Sequence, residues 1–389
     1  MVAPPPAQAE PAEPAAPAAP ATARLGGLQA LRGAAAAMVV LFHLEVFVLP
    51  HHLGLSLWDG LAMGYAGVEI FFVLSGFIMA HVHGHELGLP GAPGRFLWRR
   101  AVRILPIYWL VLLAVLAGRA ALGGPLPDGK TLLASALLLP VETPVLRIAW
   151  TLSFEALFYL VFALVIWRPA FGRLLVAAWL TTVLAALALP HPGMPLTPLS
   201  WLVSPYLLLF ALGVLAGRFW TRLPQGTAAA LVALGVLGFF GIGLGEALAG
   251  LDLTKPLRTL LYGGAAAAMI AGLAAIGRSA RLRTPRLLVH LGDASYALYL
   301  LHLPVMVIGA QALAAVGLAS LPAWCIALVL CGGACGLASA VHLGVEAPLM
   351  RALHRAGRRA SAIRWHARPS LSKEPAPPPR LHTGQTASM

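Results

Sequence analysis

The stretch from residue 25 to residue 43 reads LGGLQALRGAAAAMVVLFH and opens the hydrophobic part of the chain. Its apolar character continues to residue 50, enough for a membrane-spanning helix of about 20 residues. On that helix Arg32 and His43 lie about 16 Å apart along the axis and within about 20° of one face. Ionisable side chains are costly inside a span and usually mark a functional interior. The structural alternative is an arginine that reaches the headgroups and a histidine that only bridges two helices.

The composition places the chain in a membrane. Hydrophobic residues make up 59% of the 389 residues and charged residues only 11%, too few charges to cover a soluble surface. The net charge of +13 could suggest nucleic acid, but the basic residues lie at the ends of apolar runs, which is typical of membrane orientation. We therefore expect contact with membrane lipid and no nucleic-acid partner.

The apolar segments predict an all-α fold, a polytopic transmembrane helix bundle of about ten spans. A further apolar piece, residues 131–140, is too short to cross and is predicted to be re-entrant or to lie on the surface. The predicted spans are residues 30–50, 64–83, 103–121, 149–167, 172–189, 201–217, 227–245, 257–276, 290–312 and 322–345.

The basic residues also predict the orientation of the bundle. If the N-terminus is cytoplasmic, the arginines of 95–103 and 278–286 and the C-terminal arginines all fall on the inner side, so both termini are predicted to be cytoplasmic. Residues 1–23 are rich in Pro and Ala, lack the basic and apolar regions of a signal peptide, and are predicted to be a disordered tail. Residues 356–389 are predicted to be a disordered basic tail, which leaves residues 24–355 as the membrane domain.

Three ionisable side chains from different predicted spans reach one level of the outer half of the membrane. Glu69 lies about 8 Å deep, Glu155 about 9 Å deep, and His43 stops about 10 Å short of the outer surface. A histidine beside a carboxylate suits general base catalysis, because the carboxylate fixes the tautomer and stabilises the imidazolium. We predict that all three are catalytic, although common depth leaves their facing open, and a structural ion pair or helix-to-helix hydrogen bond is the alternative for each glutamate.

Arginines cluster at the start of the third predicted span, in the stretch RFLWRRAVRILP at 95–106. Arg100 and Arg103 share a helical face. A guanidinium group can bind two phosphate oxygens at once, so this face suits a phosphate-bearing ligand. Ordinary positive-inside charge is the alternative.

The histidines and cysteines show no metal-binding pattern. His81, His83 and His85 do not share a helical face and are predicted to be interfacial. Cys331 and Cys335 are predicted to be small packing residues within one span. We expect no metal.

The ninth predicted span contains LGDASYALYLLH at 291–302. Tyr296, Tyr299 and His302 are spaced three apart and form a slowly drifting polar stripe. Asp293 at the start of the helix is predicted to be an N-terminal cap.

Taken in order, these segments resemble the membrane acyltransferase-3 family, and the resemblance runs from about residue 25 to 355. The sequence around residues 139–140 and 149–159 is similar to that of the branch that acetylates exopolysaccharides, typified by succinoglycan acetyltransferases. The matching motifs are Arg32-x10-His43, GVEIFFVLSGF at 67–77, RRAVRILPIYW at 99–109, WTLSFEALFY at 150–159, LGDASYALYLLH at 291–302 and EAP at 346–348.

The resemblance implies a multi-pass O-acyltransferase of the bacterial inner membrane. It implies a cytoplasmic acyl-CoA donor, an acyl group that is acetyl in this branch, and as acceptor a hydroxyl of an exopolysaccharide or lipid-linked glycan. His43 is then the catalytic histidine, and Arg32, Arg100 and Arg103 are assigned to the donor.

Three side chains within these motifs are assigned to substrate binding: Tyr159, Tyr299 and His302. The chain also departs from the family pattern. Gly26 and Gln29 stand where the family often has an Asp and a second Arg, which weakens a role for charge at the mouth of the first span. Glu69 stands where Asp is common.

Buried His and Glu side chains also build proton relays, so a proton- or sugar-coupled transporter is the alternative function. Transporters usually have paired halves with broken helices, and the sequence has no such repeat. A purely structural membrane subunit is a third reading. A covalent acyl-His43 intermediate remains open within the enzyme reading, and so does the oligomeric state.

Overall fold

The structure is a computed structural model of the 389-residue chain and describes residues 26–188, 201–278, 284–353 and 355. The tails predicted at 1–23 and 356–389 lie outside the described residues. All regular elements of the described ranges are helical, which confirms the all-α fold. The α-helices are α1 Gly26–His43, α2 Leu49–Leu53, α3 Gly67–His83, α4 Ala92–Ala121, α5 Gly129–Ala136, α6 Trp150–Trp167, α7 Pro169–Ala188, α8 Tyr206–Phe219, α9 Gln225–Ala249, α10 Lys255–Gly277, α11 Arg286–Asp293, α12 Ser295–Ala315 and α13 Ala323–Val341.

Within the described ranges, nine helical segments are long and apolar enough to cross a membrane, which confirms a polytopic bundle. Several join more than one element; the first joins α1, a π-helical turn at Leu44–Val48 and α2. The cytoplasmic position of both termini stays a prediction from charge. The nine segments are Gly26–Leu53, Asp59–Glu86, Ala92–Ala121, Arg147–Trp167, Pro169–Leu187, Gln225–Ala249, Lys255–Gly277, Ser295–Ala315 and Ala323–Leu353.

The remaining predicted span, 201–217, overlaps the shorter helix α8, which runs from Tyr206 to Phe219. Its 14 residues cover about 21 Å, less than a hydrocarbon core of about 30 Å. It packs along α3 with almost no separation. A Cβ atom added to Gly213 would lie 2.0 Å from the carbonyl oxygen of Val73, and one added to Gly76 would lie 2.1 Å from that of Phe210. Glycine on both helices therefore lets the two backbones touch.

The apolar piece at 131–140 does not cross, as predicted. Its helical part is α5, which has eight residues. The carboxylate of Asp128 caps this helix by accepting a 2.8 Å hydrogen bond from the backbone N–H of Thr131. That hydrogen bond also lowers the pKa of the Asp128 carboxyl below its usual range.

The arginine cluster lies inside a helix and not before one. The sequence predicts a span that starts at residue 103, whereas α4 starts at Ala92. Gly91 takes a left-handed φ of 69° at the N-cap position and Pro93 stands in the first turn, where the missing N–H of proline costs nothing. Arginine is a good helix former, so the helix continues through the charged stretch.

The predicted span 290–312 is broken into α11 and α12 at Ala294. The prediction that Asp293 caps the second helix is wrong, because Ala294 is the N-cap residue there and no side chain caps it. Asp293 ends α11 instead, and its carboxylate accepts a hydrogen bond from the side-chain amide of Gln29. The break brings the start of α12 to α1.

Glycines hold α11 against α1. A Cβ atom added to Gly33 would lie 2.2 Å from the carbonyl oxygen of Leu288, and one added to Gly292 would lie 2.0 Å from that of Gln29. No side chain fits at either point, so the two backbones are in direct contact. This contact sets where α12 begins.

Candidate active site

Helices α1, α3, α4, α6 and α12 enclose a cavity in the described part of the bundle. It contains about 840 Å³ of unfilled space, which includes the solvent at its open mouth. Its apolar walls come mainly from α3. Its polar lining residues are Arg32, Ser75, Arg100, Arg103, Thr151, Glu155, Tyr159, Ser295, Tyr296 and Tyr299.

Arg32 is fixed by two neutral side chains. One guanidinium nitrogen donates to Oε1 of Gln29 at 3.0 Å, and the other donates to Oγ of Ser295 at 2.8 Å. Gln29 also donates to Asp293, so the carboxylate reaches Arg32 only through an amide. The guanidinium therefore keeps its positive charge unpaired toward the cavity.

Arg100 is held by a histidine. Its guanidinium donates to Nε2 of His83 at 2.6 Å and lies 5.6 Å from the ring centres of Phe96 and Tyr159. Nδ1 of His83 lies 3.4 Å from a carboxylate oxygen of Glu86. The side chain of His83 is only 3% exposed, so this residue, predicted to be interfacial, is a buried support for a cavity-lining arginine. His83 lies at the apolar end of a helix, and nothing in the sequence around it indicates this supporting role.

Glu155 and Tyr159 lie one helical turn apart on α6 and face the arginines. Oε1 of Glu155 accepts a 3.2 Å hydrogen bond from Ser75 and a further one from the hydroxyl of Tyr159. Three guanidinium groups and this single carboxylate are the charged groups among the described lining residues. The cavity thus favours an anionic ligand.

His43 and His302 do not line the cavity but lie directly beyond it. Nε2 of His302 is 3.2 Å from Nδ1 of His43, and Nδ1 of His43 is also 2.9 Å from the carbonyl oxygen of Val39. Tyr299 stands between the cavity and this pair, because it lines the cavity and its ring centre is 6.1 Å from that of His302. Its hydroxyl contacts Thr151 at 2.6 Å.

The structure does not bring the three residues predicted to be catalytic together. Among the described residues His43 hydrogen-bonds to neither glutamate. Glu155 belongs to the arginine-lined cavity. Glu69 is 2% exposed in the first turn of α3, and its Oε2 has no hydrogen-bond partner. Equal depth could be read from the sequence, but the rotation of each helix could not.

Other predicted site residues do meet. Arg32, Arg100 and Arg103 line one cavity together with Tyr159 and Tyr299. Sequence reasoning missed Gln29, Ser295 and His83 as supports of the arginines. No group of three or more His, Cys, Asp and Glu side chains in the described ranges could hold a metal ion.

The comparisons with known proteins identify the family. The model of the acyltransferase-3 family, described as an acyltransferase domain, matches residues 25–342, and the chain belongs to this family. A membrane bundle of this family is an O-acyltransferase, so the chain is an enzyme of that class.

Two relatives match over most of their length. The chain is 33% identical over 305 residues to the exopolysaccharide production protein ExoZ of Rhizobium meliloti (strain 1021), which covers 74% of this chain and 90% of that protein. It is 29% identical over 378 residues to the acyltransferase MdmB of Streptomyces mycarofaciens, covering 85% and 93%. Protein 2 in the picA locus of Rhizobium radiobacter is 38% identical over 87 residues, 22% of this chain and 40% of that protein. No solved structure gives a significant match.

Proposed function

We propose that this enzyme moves an acetyl group from acetyl-CoA in the cytoplasm to a hydroxyl of an exopolysaccharide or its lipid-linked precursor at the bacterial inner membrane. Similarity to ExoZ, whose name refers to exopolysaccharide production, supports the glycan acceptor. The positive-inside charge pattern supports a cavity that opens toward the cytoplasm.

The observation that carries the proposal is the charge of the cavity. Arg32, Arg100 and Arg103 face a single carboxylate, that of Glu155. Arg32 and Arg100 are partly buried, whereas Arg103 is exposed, and partly desolvated guanidinium charge is costly without an anion. The phosphates of the donor supply that anion, because guanidinium groups bind phosphate oxygens in pairs. The carrier arm of the donor would then run along the apolar wall of α3.

The reacting end of the donor would meet the histidine. Arg32 and His43 are about 16 Å apart along α1, a span that an extended pantetheine arm covers for the most part. Tyr299 would lie on that route between the arginine-lined cavity and His43. Because its hydroxyl contacts Thr151, another residue that lines the cavity, Tyr299 would lie beside the path of the thioester.

His43 would act as the general base. Its Nε2 takes the proton of the acceptor hydroxyl while the hydroxyl oxygen attacks the thioester carbonyl carbon. The C–S bond then breaks, and the departing CoA sulfur takes the proton from the imidazolium. The products are the acetyl ester and CoA. Attack by the imidazole itself, with an acetyl-His43 intermediate, is the variant of this chemistry that also uses Nε2.

The test is acetyl transfer by the purified full-length enzyme in lipid nanodiscs, with radiolabelled acetyl-CoA and glycan lipid from the producing cells. We expect His43→Ala to lower the turnover number at least about 100-fold, the size of a general base contribution. His51→Ala is the matched control, because His51 makes the same bond to a carbonyl four residues earlier, 3.0 Å from Phe47, but is exposed. A stably inserted His43→Ala enzyme with full activity would contradict the proposal. A protein that moves substrate without consuming the thioester would be a transporter.

A further inference from the structure

His302 and His43 meet inside the bundle, from α12 and α1, with ring centres 4.9 Å apart. Each ring also reaches a backbone carbonyl one turn earlier on its own helix. Nδ1 of His43 lies 2.9 Å from the oxygen of Val39, and Nδ1 of His302 lies 3.0 Å from the oxygen of Leu298. The remaining contact, 3.2 Å, joins Nε2 of His302 to Nδ1 of His43. The described contacts of His43 include no carboxylate.

These contacts fix where the protons are. A carbonyl oxygen only accepts, so Nδ1 of His302 and Nδ1 of His43 both carry hydrogen. Nδ1 of His43 therefore cannot accept from His302, and Nε2 of His302 must present a lone pair. His302 is consequently neutral, and the N–H of His43 is shared between Val39 and His302. In neutral His43 the lone pair is then on Nε2.

We infer that His302 is a positioning residue for His43: its Nε2 lone pair is the side-chain acceptor that, beside the carbonyl of Val39, holds His43 in the tautomer whose own Nε2 is free to take the acceptor proton. This inference rests on the proposed role of His43 as the base. It replaces the carboxylate expected from the sequence and gives His302 a role other than contact with the acceptor.

A neutral partner suits this position. His302 is fully buried, and an ionised carboxylate in its place would lose its hydration inside the bundle, which is energetically costly. An imidazole lone pair costs less to bury and still accepts. When His43 takes a proton at Nε2, its N–H at Nδ1 keeps the same two acceptors. The positive charge forms without rearrangement of the site.

Aromatic rings hold the pair in register. Phe42 packs edge-on against the His43 ring at 5.0 Å, and Phe47 stacks on it at 5.6 Å with an interplanar angle of 29°. Phe47 lies in the π-helical turn that follows His43, four residues further along the chain. Such single π-helical turns are frequent at functional sites. On the other side, the Tyr299 ring lies 6.1 Å from that of His302.

Two substitutions at one position separate positioning from packing. His302→Gln retains an acceptor, since its side-chain oxygen can take the place of Nε2. His302→Leu fills similar space but accepts nothing. We expect His302→Leu to lower the turnover number about 100-fold and His302→Gln less than about tenfold, with the KM for acetyl-CoA unchanged in both. Equal losses in two variants that melt like the wild type would mean that His302 only fills space, and would overturn the inference.

The tautomer itself gives a readout that does not depend on activity. In the wild-type enzyme labelled with ¹⁵N-histidine, the signals that disappear in His43→Ala should be those of a ring protonated at Nδ1 and bare at Nε2. In His302→Leu the carbonyl of Val39 is the one described acceptor that remains for Nδ1 of His43, so the same signals should shift toward a mixture of tautomers, and in His302→Gln they should not. Unchanged His43 signals in His302→Leu would overturn the inference.

The variants at positions 43 and 302 distinguish failure of the proposed base from failure of the positioning role. Full activity of His43→Ala would overturn the base and, with it, the role of His302. Loss of activity in His43→Ala together with full activity in His302→Leu would leave the base in place and overturn only the positioning role.

Discussion

The guanidinium of Arg32 in α1 donates a 2.8 Å hydrogen bond to Oγ of Ser295, the first residue of α12. The bond ties the arginine to the one helix that also carries Tyr299 and His302. It exists because the chain breaks at Ala294, which lets α12 begin at the level of Arg32. The orientation of the arginine thus depends on a serine far away in the sequence.

Replacing this serine should weaken donor binding. Ser295→Ala leaves Arg32 with Gln29 as its remaining side-chain acceptor. A hydrogen bond to a charged group contributes about 1.5 kcal/mol or more, and about 1.4 kcal/mol corresponds to a factor of ten. We expect the KM for acetyl-CoA to rise about tenfold with little change in the turnover number. Ser339→Ala is the control, because Ser339 contacts His290 at 3.0 Å and does not line the cavity. An equal rise in both variants would contradict a specific role of Ser295.

The backbone contact between α1 and α11 should not accept a methyl group. Gly292→Ala would place a carbon 2.0 Å from the carbonyl oxygen of Gln29, so the helices must separate. Overpacking of this kind costs about 1–3 kcal/mol. We expect a lower melting temperature in detergent and a raised KM for acetyl-CoA, since α12 moves with α11. Gly336→Ala is matched to it, because nothing lies within 4 Å of the added carbon. A Gly292→Ala enzyme as stable and active as Gly336→Ala would show that this contact does not matter.

The support of Arg100 by His83 predicts a graded response. His83→Gln can still accept from the guanidinium, whereas His83→Leu cannot and leaves a buried donor without a partner. We expect the KM for acetyl-CoA to rise about tenfold in His83→Leu and clearly less in His83→Gln. His85→Leu, in the exposed turn two residues later, serves as control. If the Leu and Gln variants at 83 behave alike, the hydrogen bond does not support the donor.

The sequence predicted the long helices well, because the apolar runs have the length of a bilayer core and are separated by short loops. It predicted a full span where the short α8 lies, and it did not predict the break at Ala294. Both depend on contacts between helices, such as Gly213 against Val73. A glycine looks the same in the sequence whether it meets a backbone or open space, so the contact cannot be read from the chain.

The candidate site shows the same division. The spacing of Arg100 and Arg103 was enough to place both on one helical face, and in the structure both line the cavity together with Arg32. Depth gives no rotation of α3 about its axis, so the sequence left open whether Glu69 faces His43, and the described hydrogen bonds of His43 do not include Glu69. The partner of His43 comes from α12 and is His302, which the sequence placed in a polar stripe and the family resemblance assigned to substrate binding.

Glu155 gives the sharpest remaining test of the cavity. Its carboxylate accepts from Ser75 and Tyr159, and Glu155→Gln keeps an oxygen for both while it removes the one negative charge among the described lining residues. The cavity becomes more positive, so an anionic donor should bind at least as well. We expect an unchanged or lower KM for acetyl-CoA at low salt, a steeper rise of KM with ionic strength, and a loss in turnover number of less than about tenfold. Glu142→Gln, at an exposed loop position, controls for loss of charge elsewhere. A loss of about 100-fold or more in turnover number at constant KM would instead place Glu155 at the reacting groups. That result would return the carboxylate to the catalytic role that its depth in the membrane predicts, and would require α6 to move toward His43 during the reaction.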